Sequence, residues 1–280
     1  MSVRWRVPAP AKLTVSLTVT GVRADGYHEL AAEMVSLDLA DELLIDPAGA
    51  GITVRPDGGG RTDGLPVGPD NLVARALVAV GRAAGVELVK RIPVGGGLGG
   101  GSSDAGAILR WAGCSDLEVA AAIGSDVPFC VAGGRAMVTG GGEQVAPLGF
   151  EPRSVVLLIP PFGVETARVY RRWDELSEAG AGPWHEPPND LTRPAIEVEP
   201  RLAPWRAAFE QATGRSAILA GSGSTWFVDG TLERFDGDPD GGIRVGRERG
   251  RVVQAHTVPA AWGRPVELGE TAGTGAPAGG

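Results

Sequence analysis

The seven positions Gly95, Gly96, Gly97, Leu98, Gly99, Gly100 and Gly101 hold six glycines, and Ser102, Ser103 and Asp104 follow them. A backbone without Cβ atoms can turn tightly enough for its N–H groups to converge on a phosphate, and a helix opening behind it adds the positive end of its dipole. The run therefore outlines a nucleotide site, although a mobile glycine linker is written the same way. Two familiar devices fit poorly. Gly95, Gly97 and Gly100 satisfy the dinucleotide fingerprint, which also needs a βαβ unit and an acid at the end of its next strand; here Ser115, Asp116 and Glu118 follow as a helix cap. A P-loop needs Lys directly before its Ser, and Gly101 stands there. Pro93 ahead of the run, Ser102 to Asp104 as an N-terminal cap and Ala105 to Trp111 as a helix favour a phosphate cradle over a linker.

A cradle needs positive charge. Of the 26 Lys and Arg residues only Lys12 and Lys90 are lysine, which marks them as places where a compact ammonium is wanted in place of a planar fork. Lys90 stands shortly before the glycine run, five residues ahead of Gly95. Lys12 opens a strand of strict alternation, with Leu13, Val15, Leu17 and Val19 on one face and Lys12, Thr14, Ser16 and Thr18 on the other, so that Lys12 can project into a site. A carboxylate suited to hydroxyl chemistry is Asp126, in Gly124-Ser-Asp-Val-Pro-Phe129, although an Asp so placed also caps turns. Tyr27 and His28 end the turn that follows the strand. An aromatic face beside a polar ring edge suits a flat base, and equally a packed loop.

Pro93 to Ala105 resembles the central phosphate-binding motif of the GHMP small-molecule kinases. The extra glycines resemble the branch that phosphorylates the 2-hydroxyl of a cytidine diphosphate-linked methylerythritol, in the non-mevalonate route to isoprenoid precursors. Arg23-x-Asp-Gly-Tyr-His-Glu-Leu30, Pro10-Ala-Lys-Leu-Thr14 and Gly124 to Phe129 resemble further motifs of that branch, and the likeness covers about residues 5 to 228. It implies ATP and Mg2+, with Asp126 as general base and Lys12 beside it, offsetting charge on the transferring phosphoryl group. It implies that Pro93, Gly95 to Gly101, Ser102 and Ser103 hold the phosphates, with a serine hydroxyl, Ser103 above all, near the metal ion. Asn71 and Leu72 would face the adenine with Lys90 nearby. Tyr27 would stack on cytosine, His28 would bond its edge, and Gly141, in the turn Thr139 to Glu143, would meet that edge with its backbone. Thr166 would lie at the substrate, Tyr170 would offer a second aromatic face, and Ala220 to Thr225 would close over the phosphates. Asn189-Asp-Leu191 would begin a helix of the second domain. Thr14 stands where the family has Asn, keeping a hydroxyl but no amide N–H2.

The fold that the resemblance implies is α+β in two domains: residues 1–150 like the second domain of ribosomal protein S5, and residues 151–268 ferredoxin-like, with the site between them. Departures are the short connection from Trp111 to Ile123 and the segment from Asp229 to Gly250, rich in Gly, Asp and Arg without a helical apolar period. Residues 269–280 read as a disordered tail. Strands are expected at Arg4 to Val7, Leu13 to Thr20, Leu43 to Val54 and Val155 to Ile159, and a helix from Asp70 to about Ala84.

Bulk properties agree. With 280 residues and 43% hydrophobic content the chain can bury one large core or two modest ones. A formal charge of −8 and a pI near 5.0 argue against nucleic acid as a partner. No apolar run reaches the ~20 residues of a membrane span, and a cytoplasmic monomer or homodimer acting on a small molecule is expected. Cys114 and Cys130 have no metal-ligand spacing and are expected as free buried thiols. Two readings stay open beside this one. Another kinase of the family would act on mevalonate or homoserine, neither of which carries a base for Tyr27 and His28. A catalytically silent ligand-binding homologue would account for Thr14 and the C-terminal departure, but not for the retained Lys12 and Asp126.

Overall fold

Two long strands organise the first half of the chain. β1 (Arg4–Val22) and β2 (His28–Asp46) pair antiparallel, and the turn between them closes with Gly26 N–H on the Arg23 carbonyl and Arg23 N–H on the Tyr27 carbonyl. The computed structural model describes residues 3–57, 65–179, 187–232 and 241–268. The two short strands expected before residue 20 are one, because Pro8 and Pro10 do not interrupt it. Their carbonyls face α2 (Gly100–Ala112) and accept from Arg110 and Ser103, so the edge that lacks their N–H groups has little ladder to complete. The register shifts between Pro10 and Lys12. Before the shift the odd-numbered Val7 and Ala9 pack on helices; after it Leu13 and Leu17 meet the second sheet.

The strand expected from Leu43 to Val54 is instead two pieces, the end of β2 and β3 (Gly51–Pro56), separated by a turn at Pro47 and Ala48 that Gly49 N–H closes on the Asp46 carbonyl. β3 runs parallel to β4 (Gly85–Lys90) and reaches it through α1 (Leu72–Ala79). That helix stops short of Ala84 because Gly81 turns left-handed and Arg82 N–H closes back on the Leu77 carbonyl. α2 also starts earlier than expected. Gly99, left-handed at φ +66°, is its N-cap and no side chain caps it, so Ser103 and Asp104 lie within the helix and bond elsewhere. α3 (Leu117–Ile123) is capped by Asp116, whose carboxylate accepts from Glu118 N–H at 2.9 Å. α4 (Val127–Ala132) follows Asp126, with Pro128 in its first turn. β5 (Arg135–Gly140) pairs with the first half of β2 and carries β6 (Gln144–Pro147).

The second sheet is antiparallel throughout. Its order is β10 (Gly242–Val245), β11 (Glu248–His256), β7 (Ser154–Ile159), β9 (Trp226–Asp229), β8 (Ile218–Leu219). With it go α5 (Thr166–Glu178), α6 (Thr192–Val198) and α7 (Leu202–Thr213). Among its described residues the segment from Asp229 to Gly250 supplies the hairpin of β10 and β11, while the tail at 269–280 lies outside the described residues. β12 (Val266–Leu268) returns to pair with the start of β1.

Apolar burial joins these layers. One core lies between the first sheet and α1 to α3, around Leu43, Leu88, Val73 and Ile108. Two others run between the sheets, where Leu13 and Leu37 meet Leu157 and Phe227, and Leu17 and Met34 share a cluster with Leu158 and Trp226. Fully burying a side chain of this size contributes about 1.5–3 kcal/mol, so the sheets hold each other firmly along the edge of the site. Cys114 and Cys130 are both free, Cys130 buried and Cys114 partly so. No helix among the described residues is long and apolar enough to cross a membrane.

Candidate active site

A cavity of about 760 Å³ runs from the start of α1, along the glycine run, to the β1–β2 turn and the first turns of α5. Its volume lies within the usual range of small-molecule sites.

The glycine run is shaped by close approaches. Gly95, Gly97 and Gly99 have positive φ. A Cβ on Gly97 would lie 2.6 Å from the Gly223 carbonyl oxygen and 2.8 Å from that of Ala220, and one on Gly99 would lie 2.6 Å from Cγ of Lys12. The turn from Ala220 to Thr225 thus rests on the run, and Thr225 N–H bonds the Gly96 carbonyl at 3.2 Å. Lys12 N–H bonds the Leu98 carbonyl at 3.1 Å, which ties β1 to the same loop.

Lys12 and Asp126 meet in the cavity. Nζ lies 3.4 Å from Asp126 Oδ2, with the lysine side chain 8% exposed and the aspartate 32%. The ammonium also donates to Thr14 Oγ1 at 3.2 Å. Thr14 is buried, and its hydroxyl gives the lysine head a second anchor.

Aromatic groups gather at the far end. Tyr27 is half-exposed, and its ring lies over the backbone of Gly141, where a Cβ would come within 2.6 Å of Cε1. The His28 ring sits 4.7 Å from that of Tyr170, centroid to centroid, and edge-on to Trp173 at 5.6 Å. His28 Nε2 bonds Asp174 Oδ1 at 2.7 Å. Burial pushes the Tyr170 hydroxyl pKa well above its ordinary value. Thr166 also lines the cavity, its hydroxyl 2.8 Å from that of Ser222.

Of the expected residues Ser103 lies off the cavity, while Lys90, Asn71 and Gly141 line it with polar groups already engaged. Ser103 does not line the cavity: its hydroxyl donates to the Pro10 carbonyl at 2.7 Å, because the early start of α2 turns it toward β1. Ser102 lines the cavity instead. Lys90 reaches the wall, but its ammonium is held by Asp41 and Asp104. Burial alone would lower its pKa, and the charges of Asp104 and Asp41 outweigh burial and raise it. Burial pushes the Asp104 carboxyl up against the pull of Lys90, since one ammonium cannot neutralise two carboxylates. Asn71 lines the cavity beside Leu72, yet its amide caps α1 through Val73 N–H and donates to the Pro66 carbonyl. Gly141 is at the aromatic end, but its N–H is taken by Glu143 at 2.7 Å.

Sequence reasoning missed two supporting groups, Asp41 and Asp174, and gave Asn189 only the start of a helix. Asp41 is fully buried and accepts from the Arg91 and Ile92 N–H groups, which fixes the chain as it enters the glycine run. Removing one partner of such a buried pair costs about 3–5 kcal/mol. Asn189 donates to the Leu219 and Gly221 carbonyls at 2.8 and 2.7 Å and so holds the second glycine turn. Asp174, on α5, is the second missed group. An Asp inside the mostly apolar run of β2 and an Asp one helical turn past Tyr170 are the traces that the two missed residues leave in the sequence.

The 4-diphosphocytidyl-2-C-methyl-D-erythritol kinase of Paracoccus denitrificans is 39% identical over 242 residues, covering 81% of this chain and 87% of that one. The chain belongs to the 4-diphosphocytidyl-2-C-methyl-D-erythritol kinase family. The corresponding kinase of Dinoroseobacter shibae is 36% identical over 239 residues, 83% of this chain and 78% of its own. A crystal structure of a 4-(cytidine 5'-diphospho)-2C-methyl-D-erythritol kinase superposes with a TM-score of 0.64 at 30% identity, over 90% of this chain and 98% of that one. No family model matches the chain. As a member of this kinase family the protein is an ATP-dependent small-molecule kinase with the two-domain GHMP fold, and the α+β expectation holds.

Proposed function

We propose that this kinase passes the γ-phosphoryl group of ATP to the 2-hydroxyl of 4-diphosphocytidyl-2-C-methyl-D-erythritol, with Asp126 as base. The observation that carries this reading is the Lys12–Asp126 pair, 3.4 Å apart, in one cavity with a glycine cradle at one end and Tyr27, His28 and Tyr170 at the other. ATP would lie with its adenine near Asn71 and Leu72 and its phosphates along Gly95 to Ser102. The acceptor would place its cytosine on Tyr27 and its hydroxyl at Asp126. Asp126 takes the hydroxyl proton, and Lys12, steadied by Thr14, meets the charge on the transferring group.

Magnesium supplies charge neutralisation on the phosphate oxygens when bound. Among the described residues no group of three or more His, Cys, Asp or Glu side chains is gathered for a metal ion. That suits an ion carried mostly by phosphates and water, with the Ser102 hydroxyl as its contact on this chain. We divide the chain at about residue 150, with 151–268 as the second domain, apart from the β12 edge strand, which joins the first sheet. The acidic charge disfavours nucleic acid as a partner, and we read the protein as a cytoplasmic monomer or homodimer that serves a small molecule.

The test is ATP turnover with 4-diphosphocytidyl-2-C-methyl-D-erythritol against mevalonate and homoserine. Turnover confined to the first supports the reading, and preference for either of the others overturns it. No turnover with any of them favours a silent ligand-binding homologue.

A further inference from the structure

His28 is gripped on three sides by one face of α5. Tyr170, Trp173 and Asp174 stand at helical spacings of three and four, so their side chains share that face. Tyr170 lies tilted at 37° to the imidazole, and Trp173 meets it edge-on at 88°, so the ring plane is set by packing. Asp174 Oδ1 then takes Nε2 at 2.7 Å. A carboxylate only accepts hydrogen bonds, so Nε2 carries the hydrogen, and in the neutral ring Nδ1 is left with its lone pair. Among the described residues Nδ1 has no protein partner, and His28 lines the cavity.

We infer that Asp174 is a specificity-determining positioning residue, which fixes His28 as a hydrogen-bond acceptor and so selects a pyrimidine that presents an amino group over one that presents a carbonyl. The inference rests on the proposed function only in taking the pyrimidine to lie at this end of the cavity. Cytosine offers an N4 amino donor where uracil offers the O4 acceptor. Uracil would set two lone pairs against each other, or would require the ring to shed its bond to Asp174. The discrimination therefore lies on α5, one step removed from the base.

Asp174 is partly exposed, so Asp174→Asn should fold. An amide can donate to Nε2 as well as accept from it, and the tautomer is released. The wild-type protein should favour the cytidine substrate over its uridine counterpart in kcat/KM. In Asp174→Asn that preference should fall by about tenfold, the scale of one misplaced hydrogen bond, with the KM for ATP unchanged. Asp174→Glu should keep most of the preference. Nitrogen-15 spectra of the ligand-free protein, with the His28 signals assigned by their loss in His28→Gln, should show hydrogen on Nε2 in the wild type and a mixture in Asp174→Asn. An unchanged base preference in Asp174→Asn, or hydrogen on Nδ1 in the wild type, overturns the inference. If neither nucleotide substrate turns over, the kinase reading fails, and the spectra still decide the role of Asp174.

Discussion

Lys12 Nζ and Asp126 Oδ2 stand 3.4 Å apart, one on a strand and the other just before a helix, while the other lysine, Lys90, is bound by Asp41 and Asp104. The carboxylate is left partly open to the cavity, as the proposed base would need, and the ammonium is closed in by Thr14. Asp126→Asn should abolish turnover, by about 10²-fold or more as for loss of a general base, while ATP still binds. Steady-state turnover and calorimetric ATP binding, measured side by side, check this. Full activity would remove Asp126 from the mechanism.

Tyr27 is half-exposed, so truncating it should leave stability nearly untouched. A stacked base contributes about 1–3 kcal/mol, and Tyr27→Ala should raise the KM of the cytidine substrate about tenfold without altering that of ATP. An unchanged KM would mean that the ring does not stack on the substrate.

Gly97 has φ +78° and no room for a Cβ beside Gly223 and Ala220. Gly97→Ala should lower stability by about 1–3 kcal/mol through backbone strain and displacement of the second glycine turn, and weaken ATP binding. Gly101→Ala is the control, since its Cβ would meet nothing closer than 3.5 Å, and its melting temperature should stay near that of the wild type. Equal melting temperatures for the two variants would show that the contact between the turns is not tight.

Cys130 is buried against Ser103, and burial pushes its thiol up to about 12. In the native protein near pH 8 it should resist alkylation while the partly exposed Cys114 reacts, as mass spectrometry of the labelled protein would show. The sign of the linked stability follows. The unfolded chain loses this proton near pH 8.5 and the folded one only near 12, so the contribution is complete below the first value and is lost as pH rises toward the second. Cys130→Ala should flatten the alkaline fall in melting temperature between those values. An unaltered profile would show that another group controls it.

What the sequence made legible were features with a local cause. The glycine run needs no Cβ, the alternation from Lys12 to Val19 sets faces, and Asp126 stands ahead of a proline-started helix. Alternation says which side chains share a face and nothing about what covers that face. The register shift after Pro10 changes which layer the odd residues meet, and Gly99 starts α2 early enough to carry Ser103 away from the cavity.

The sequence by itself determined which groups are on offer: a glycine run without Cβ atoms, a lysine and an aspartate, and an aromatic pair. Only the tertiary structure decided which of those groups are free to act. Lys90 is bound by Asp41 and Asp104, Asn71 is spent on its helix cap, and His28 is oriented by Asp174. Hydrogen bonds and ion pairs act over about 3 Å of space whatever the distance along the chain. A residue's type states what it can offer, and its folded neighbours determine what remains unclaimed.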